Sequence, residues 1–248
     1  MLSLRHGTQN ANPPSHAEAT VTTAILFDAA GTLFRVRGSA GAAYASVASR
    51  YGVIADADAT ELRFRQAFRQ MPPLAFGGVA ETQLQRYEYE WWKRVVQTTF
   101  GTTVFDDFDA VFQELFAHFA RPDAWELFPE TLSTLTALRQ RPLRLGIVSN
   151  FDARLLPICA GLGILGCFDT VVISSRAGFA KPDPRIFAAA LRHLGVAPHE
   201  AIHVGDSESE DLAGAQAAGM RGLLLRREGS VERSAAQISN LRELLTLV

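Results

Sequence analysis

Three apolar runs in this chain stop abruptly at polar residues: AILFD ends at Asp28, LRLGIVSN at Ser149 and Asn150, and AIHVGD at Asp206. Runs of that length read as buried strands, and the carboxyl ends of parallel strands line a single crevice. Polar groups gathered there can hold and attack a ligand. Past Asp206, the segment GDSESEDLAGAQAAG places Asp211 across a turn, with Glu208 and Glu210 between. Carboxylates at that spacing can share a hard cation, one of them directly and the other through water. Lys181, in GFAKPDP, is one of only two lysines, the other being Lys93; arginine carries the rest of the positive charge. Taken one at a time these residues have plainer uses: Asp28 could cap a turn, Asp211 or Ser209 could cap a helix, and Lys181 could be a solvated loop cation. Together they describe an acidic crevice with a single lysine as its counter-charge.

The elements that must position them follow from the hydrophobic pattern. Strands are expected at 22–28, 143–150, 170–175, 201–206 and 221–226, all short and aliphatic. Helices are expected at 152–163, 183–195 and 209–219, each opening near Asp or Ser and closing at a glycine. This alternation implies an α/β fold: a doubly wound, Rossmann-like parallel sheet covered by helices. Residues 38–125 break it, with apolar and aromatic positions recurring at three and four and no strand pattern. That segment is expected to be an inserted all-helical cap over the carboxyl edge of the sheet. The core is then 21–37 joined to 126–248, re-entered near Pro129, and residues 1–20, polar and proline-containing, are expected to be a flexible tail.

With 248 residues, 48% of them hydrophobic, the chain can bury a sizeable core. A net charge of −2 argues against nucleic acid or an anionic membrane as partner, because both favour a basic surface. Cys159 and Cys167 lack metal-ligand or redox spacing and read as reduced thiols, which points to the cytoplasm. No apolar run approaches the length of a membrane span.

At this point the residues resemble the haloacid dehalogenase-like hydrolase superfamily. Its four motifs are matched in order by FDAAGTL, VSN, Lys181 in AKPDP, and GDSESED, and the resemblance covers residues 22 to about 226. The insertion is similar to that superfamily's helical cap of the first type. The resemblance implies a Mg²⁺-dependent phosphatase acting on a small phosphorylated compound, as a monomer or homodimer. Asp28 is then the nucleophile that forms an aspartyl phosphate. Asp28, the main-chain carbonyl of Ala30 and Asp206 would hold the metal. The Ser149 hydroxyl and the backbone N–H groups of Ala29, Ala30 and Asn150 would bind the phosphoryl oxygens. Lys181 would neutralise developing charge and keep Asp28 ionised, while Asp211 would orient Lys181 or a metal-bound water from behind. Thr32 would fix the turn or touch phosphate.

Ala30 is the departure from that pattern. Phosphatases of the superfamily usually carry there a second Asp that protonates the leaving oxygen, help typically worth about 10²–10⁴ in rate. In its absence Glu88, Glu90 and His118 of the insertion are candidate substitutes. Three branches share the departure. The 2-haloacid dehalogenases have the same DAxGTL shape but dispense with metal, against which the pair Asp206 and Asp211 argues. The phosphonoacetaldehyde hydrolases use a cap lysine early in the insertion, whereas Lys93 lies far down it. The haloacid dehalogenase-like hydrolase domain-containing protein 3 group resembles this chain in DAxGTLF, in an aromatic YEWW-like cap segment and in the metal-type fourth motif. A protein that keeps the pocket but has lost turnover is the further alternative. Trp91, Trp92 and Phe100 are expected to pack the cap, with one face free for substrate or a second subunit.

Overall fold

The computed structural model describes residues 21–227 and 234–248, so the expected tail at 1–20 lies outside the described residues. Eight strands occur among the described residues: β1 (Ala24–Phe27), β2 (Phe34–Val36), β3 (Trp125–Leu127), β4 (Arg144–Ser149), β5 (Thr170–Ile173), β6 (Ala201–Gly205), β7 (Arg221–Leu225) and β8 (Gln237–Ile238). The α-helices are α1 (Ala40–Arg50), α2 (Ala57–Gln70), α3 (Glu81–Phe100), α4 (Phe108–His118), α5 (Thr131–Arg139), α6 (Leu155–Gly161), α7 (Ser174–Ala177), α8 (Pro184–Leu194), α9 (Gly214–Ala217) and α10 (Leu244–Leu247).

Six strands form one parallel sheet in the order β5-β4-β1-β6-β7-β8, which puts β1 at the centre between β4 and β6. Alternate residues of β1 serve opposite layers. Ile25 and Phe27 pack with Leu135 and Leu138 of α5 and Leu155 and Ile158 of α6, while Ala24 and Leu26 pack with Ile186, Phe187 and Ala190 of α8. Burial on both faces is why the strand is an unbroken apolar run, and why the first hydrophilic residue marks its end. Helix α8 begins where the Asp183 carboxylate accepts from the Arg185 N–H, with Pro184 at the first position, and it stops at Gly195, whose φ is +67°.

The expected helix at 209–219 is corrected by the structure. A wide π-type turn spans Glu208–Ala213, and only Gly214–Ala217 is α-helical. The Asp211 side chain folds back onto Gly205, where any Cβ would collide with it, so the chain widens to let the carboxylate turn inward.

Helices α1 to α4 lie between β2 and β3, which pair antiparallel as a two-stranded ribbon with Phe34 opposite Leu127 and Val36 opposite Trp125. The helices share a core of their own around Tyr44, Val47, Val96, Phe100, Phe112 and Leu115. Helix α3 docks on the loop that follows β4 and on α7. Its Glu88 Oε1 accepts from Ser175 Oγ at 2.6 Å and from the Ala153 N–H at 3.2 Å, and its Trp92 Nε1–H donates to Asp152. Arg154 lies over the Phe116 ring at 4.1 Å and the Trp92 ring at 4.9 Å while donating to Asp152. Among the described residues no helix is long and apolar enough to cross a membrane, and Cys159 and Cys167 are both free thiols.

Candidate active site

The sheet brings the predicted residues together at its carboxyl edge. Asp28 follows β1, and its own N–H still bonds the Val204 carbonyl at 2.8 Å, so the acid is held at the last step of the ladder. Ser149 is the final residue of β4, and its Oγ donates to Asp28 Oδ1 at 3.1 Å. Lys181, on the loop before α8, reaches between two acids: its Nζ lies 2.6 Å from Asp28 Oδ1 and 2.6 Å from Asp211 Oδ1. Asn150 fixes that loop, accepting from the Lys181 N–H at 2.7 Å and donating to the Lys181 carbonyl at 3.0 Å.

Charge in this cluster is set by burial against pairing. Burial pushes the Asp28 carboxyl above the ordinary range and Asp211 adds to the push, with Lys181 opposing them. Burial would lower Lys181, yet the two carboxylates hold its ammonium above the ordinary lysine range. Asp211 goes the other way: despite burial, Lys181 and His203 hold it well below the carboxylate range. Both its oxygens are engaged, Oδ1 by Lys181 and His203 Nε2 (2.8 Å), Oδ2 by the Ser207 N–H (3.0 Å). Asp206 opens onto the pocket, and its carboxyl is pushed up to about 6 by partial burial first and then by Asp28 and Asp211.

The acids suit a hard cation. One carboxylate oxygen from each of Asp28, Asp206 and Asp211 lies within 4.8 Å of the others. Gly31 makes this possible: its φ is +96°, and a Cβ there would stand 2.5 Å from Asp206 Oδ2. The turn is closed by Gly31 N–H to the Phe34 carbonyl and Leu33 N–H to the Ala29 carbonyl, both 2.8 Å.

A pocket of about 270 Å³ stands over this floor, lined by Asp28, Ala30, Ser149, Asn150, Lys181, Asp206, Glu210 and Asp211 from the core. Of the two uses expected of Thr32 the turn is the one seen, and the three candidate proton donors of the insertion lie elsewhere. Thr32 is fully buried and does not line the pocket; it belongs to the turn, where Arg227 donates to its carbonyl at 2.7 Å. Neither Glu88, Glu90 nor His118 lines the pocket: Glu88 is tied to Ser175 and Ala153, Glu90 is exposed, and His118 ends α4 against Phe119. Lys93 pairs with Asp109 at 2.6 Å and is likewise absent from the lining. Sequence reasoning missed His203 and Arg227, and named Glu210 without giving it a role. His203 reads as an ordinary strand position, although it shares a sheet face with Ala201 and packs edge-on to Phe187. Glu210 lines the pocket and accepts from Asn150 Nδ2 at 3.1 Å; Arg227 lies beyond β7 with no pattern to mark it.

Known proteins were compared with this chain. A chain from Mus musculus, "Haloacid dehalogenase-like hydrolase domain-containing protein 3", is 39% identical over 205 residues, covering 81% of this chain and 80% of that one. Glyceraldehyde 3-phosphate phosphatase of Methanothermobacter thermautotrophicus is 42% identical over 102 residues, 41% of this chain and 45% of its own length. Among solved structures, an HAD phosphatase from Thermococcus onnurineus superposes with a TM-score of 0.64 at 25% identity, covering 91% of this chain and 97% of that one. The haloacid dehalogenase-like hydrolase family itself matches residues 22–219, an extent that includes every residue of the pocket. By that match, and by the sheet that carries it, the chain belongs to the haloacid dehalogenase-like hydrolases.

Proposed function

We propose that this hydrolase is a Mg²⁺-dependent phosphatase for a small phosphorylated compound, working through an aspartyl phosphate on Asp28, with residues 38–125 as its cap. The observation that carries the reading is Lys181, whose ammonium sits 2.6 Å from Asp28 at the floor of a pocket that also holds Asp206. Lys181 opposes the upward push of burial on that carboxyl and so favours its ionised, nucleophilic form. Asp28, Asp206 and the Ala30 carbonyl would hold the metal, which when bound offsets the repulsion between carboxylate and phosphate and polarises the phosphoryl group. Asp211, with both oxygens engaged by protein donors, serves Lys181 from behind. Ser149 Oγ and the N–H groups of Ala29, Ala30 and Asn150 receive the phosphoryl oxygens.

An Asp28 oxygen attacks phosphorus, and the bond from phosphorus to the leaving oxygen breaks with its electron pair. Water then attacks the phosphorus of the aspartyl phosphate, releasing orthophosphate and restoring Asp28. Ala30 moves no proton, and the lining side chains contributed by the insertion, Phe64, Phe68 and Trp92, carry no acid. The leaving oxygen therefore lacks a carboxyl where the superfamily's phosphatases usually carry one, which favours aryl and acyl phosphates.

The test is p-nitrophenyl phosphate hydrolysis with Mg²⁺ and with EDTA, set beside halide release from 2-haloacids, in wild type and Asp28→Asn. Turnover that needs both Mg²⁺ and Asp28, with a beryllium fluoride adduct lost in Asp28→Asn, supports the reading. Ala30 also favours a dehalogenase, and halide release that persists in EDTA would replace the phosphatase by that reading. Mg²⁺ binding without turnover on either panel would leave a binding protein.

A further inference from the structure

The pocket above Asp28 has two unlike halves. Its core half is charged and polar, whereas the half brought by the insertion and its ribbon is Phe64, Phe68, Trp92, Val36 and Trp125, with Phe151 at the seam. No lining side chain from the insertion is a hydroxyl, amide, ammonium or guanidinium. The indole N–H groups are also committed, that of Trp92 to Asp152 and that of Trp125 to the Phe119 carbonyl. A polyol lying against this wall would leave its hydroxyls without partners, a loss, while apolar carbon there leaves water at a gain.

The wall is also continuous. Val36, Phe64, Trp92, Trp125 and Phe151 line a smaller apolar cavity as well, which runs into the insertion past Tyr44 and Phe112. Among the described residues its one cation, Arg154, is committed to Asp152 and the Phe116 carbonyl and lies over two aromatic rings, so it is not free to receive a second acid group of a ligand. Lys181, the other cation, is held between Asp28 and Asp211. Phe68, packed against Trp91 and Trp92, remains 39% exposed and presents a ring at the pocket.

We propose that the substrate is a phosphate compound whose other half is a single apolar, ring-bearing body without a second charge: an aryl phosphate or an apolar acyl phosphate, not a sugar phosphate or a phosphorylated hydroxy acid. This rests on the phosphatase reading and narrows it. Two independent features select the same class. Ala30 favours leaving groups that need no proton, and the aromatic wall favours carbon that needs no hydrogen bond.

Calorimetric titration of the Mg²⁺-loaded protein with orthophosphate, methylphosphonate, phenylphosphonate and 2-naphthylphosphonate tests this without turnover. Phenyl- and naphthylphosphonate bind about tenfold or more tighter than methylphosphonate, as burial of a ring predicts. Phe68→Ser, at a partly exposed position, narrows that ratio to about threefold or less. Equal affinity of wild type for methyl- and arylphosphonates, with orthophosphate bound, overturns the apolar-body inference alone. An undiminished ratio in Phe68→Ser overturns the assignment of the wall. Failure of orthophosphate and all phosphonates to bind overturns the phosphatase reading beneath it.

Discussion

Lys181 Nζ stands 2.6 Å from Asp28 Oδ1, and the two side chains are almost wholly enclosed. The same ammonium is 2.6 Å from Asp211, so one cation is shared by two buried acids. Lys181→Met removes it, leaving Asp28 with the Ser149 hydroxyl and Asp211 with His203 and the Ser207 N–H, a loss of about 3–5 kcal/mol in metal-free buffer. Denaturant unfolding measures this. The sign with pH follows from Asp28, whose folded value is raised: its contribution is present below its ordinary 3.8 and is lost as pH rises. Losing the ammonium that opposes this push raises Asp28 further, so the variant loses more stability with rising pH than wild type does, and a parallel pH dependence of the two would show that Asp28 is not the stranded charge.

Gly31→Ala strikes the metal without striking the core. The new methyl must occupy the place of Asp206 Oδ2, 2.5 Å from the ideal Cβ, and φ at +96° disfavours any side chain. Mg²⁺ affinity by calorimetry should fall at least about tenfold, with a stability cost of about 1–2 kcal/mol.

Ala30→Asp restores a carboxyl at the mouth of the turn. Alkyl phosphate hydrolysis should rise about tenfold or more, and aryl phosphate hydrolysis less, because phenolate leaves without a proton. Wild type and variant are compared on p-nitrophenyl phosphate and a simple alkyl phosphate at one pH. Equal gains on both would show that the carboxyl acts through the metal or the fold.

Glu88→Ala loosens the insertion from the core. It strands Ser175 Oγ and the Ala153 N–H, which Glu88 now accepts from, and each buried unpaired donor costs about 1–3 kcal/mol. Limited proteolysis between α3 and the core should accelerate, while Glu88→Gln, which keeps an acceptor, should lose less.

Cys159 is enclosed, and burial pushes its thiol up to about 12. Below its ordinary 9.0 the group contributes its full stability; as pH rises toward 12 the unfolded chain ionises first and that contribution is lost. Stability should fall between pH 9 and 11, less steeply in Cys159→Ala. Iodoacetamide at pH 8 should label Cys167 but label Cys159 only after unfolding, as read by mass spectrometry.

The core was legible because burial on both faces writes parallel strands as unbroken apolar runs. Asp28, Ser149 and Asp206 mark their ends, so the floor of the pocket could be read directly. Strands β2, β3 and β8, at two or three residues, are too short to carry a period and were not visible. On α2 and α3 the aromatic residues serve two apolar surroundings, packing and pocket, and helical spacing does not separate Trp91, which is buried, from Trp92, which lines the pocket. Nor does it say that Glu88 points to Ser175. His203 was hidden by its neighbours, since one polar residue inside a strand has no pattern until its partner Asp211 folds back across the turn.

The ribbon of β2 and β3 sets the chain's departure and return side by side, with Val36 opposite Trp125. Along the backbone the four helices form one loop whose two ends meet in this ribbon, while their side chains rest on the core through Glu88 and Trp92. The entropy of closing such a loop grows only with the logarithm of its length, so its contents can lengthen, shorten or be exchanged at little cost to the sheet. A change of loop length within the insertion is therefore tolerated by the sheet so long as the contacts of Glu88 and Trp92 with the core are kept.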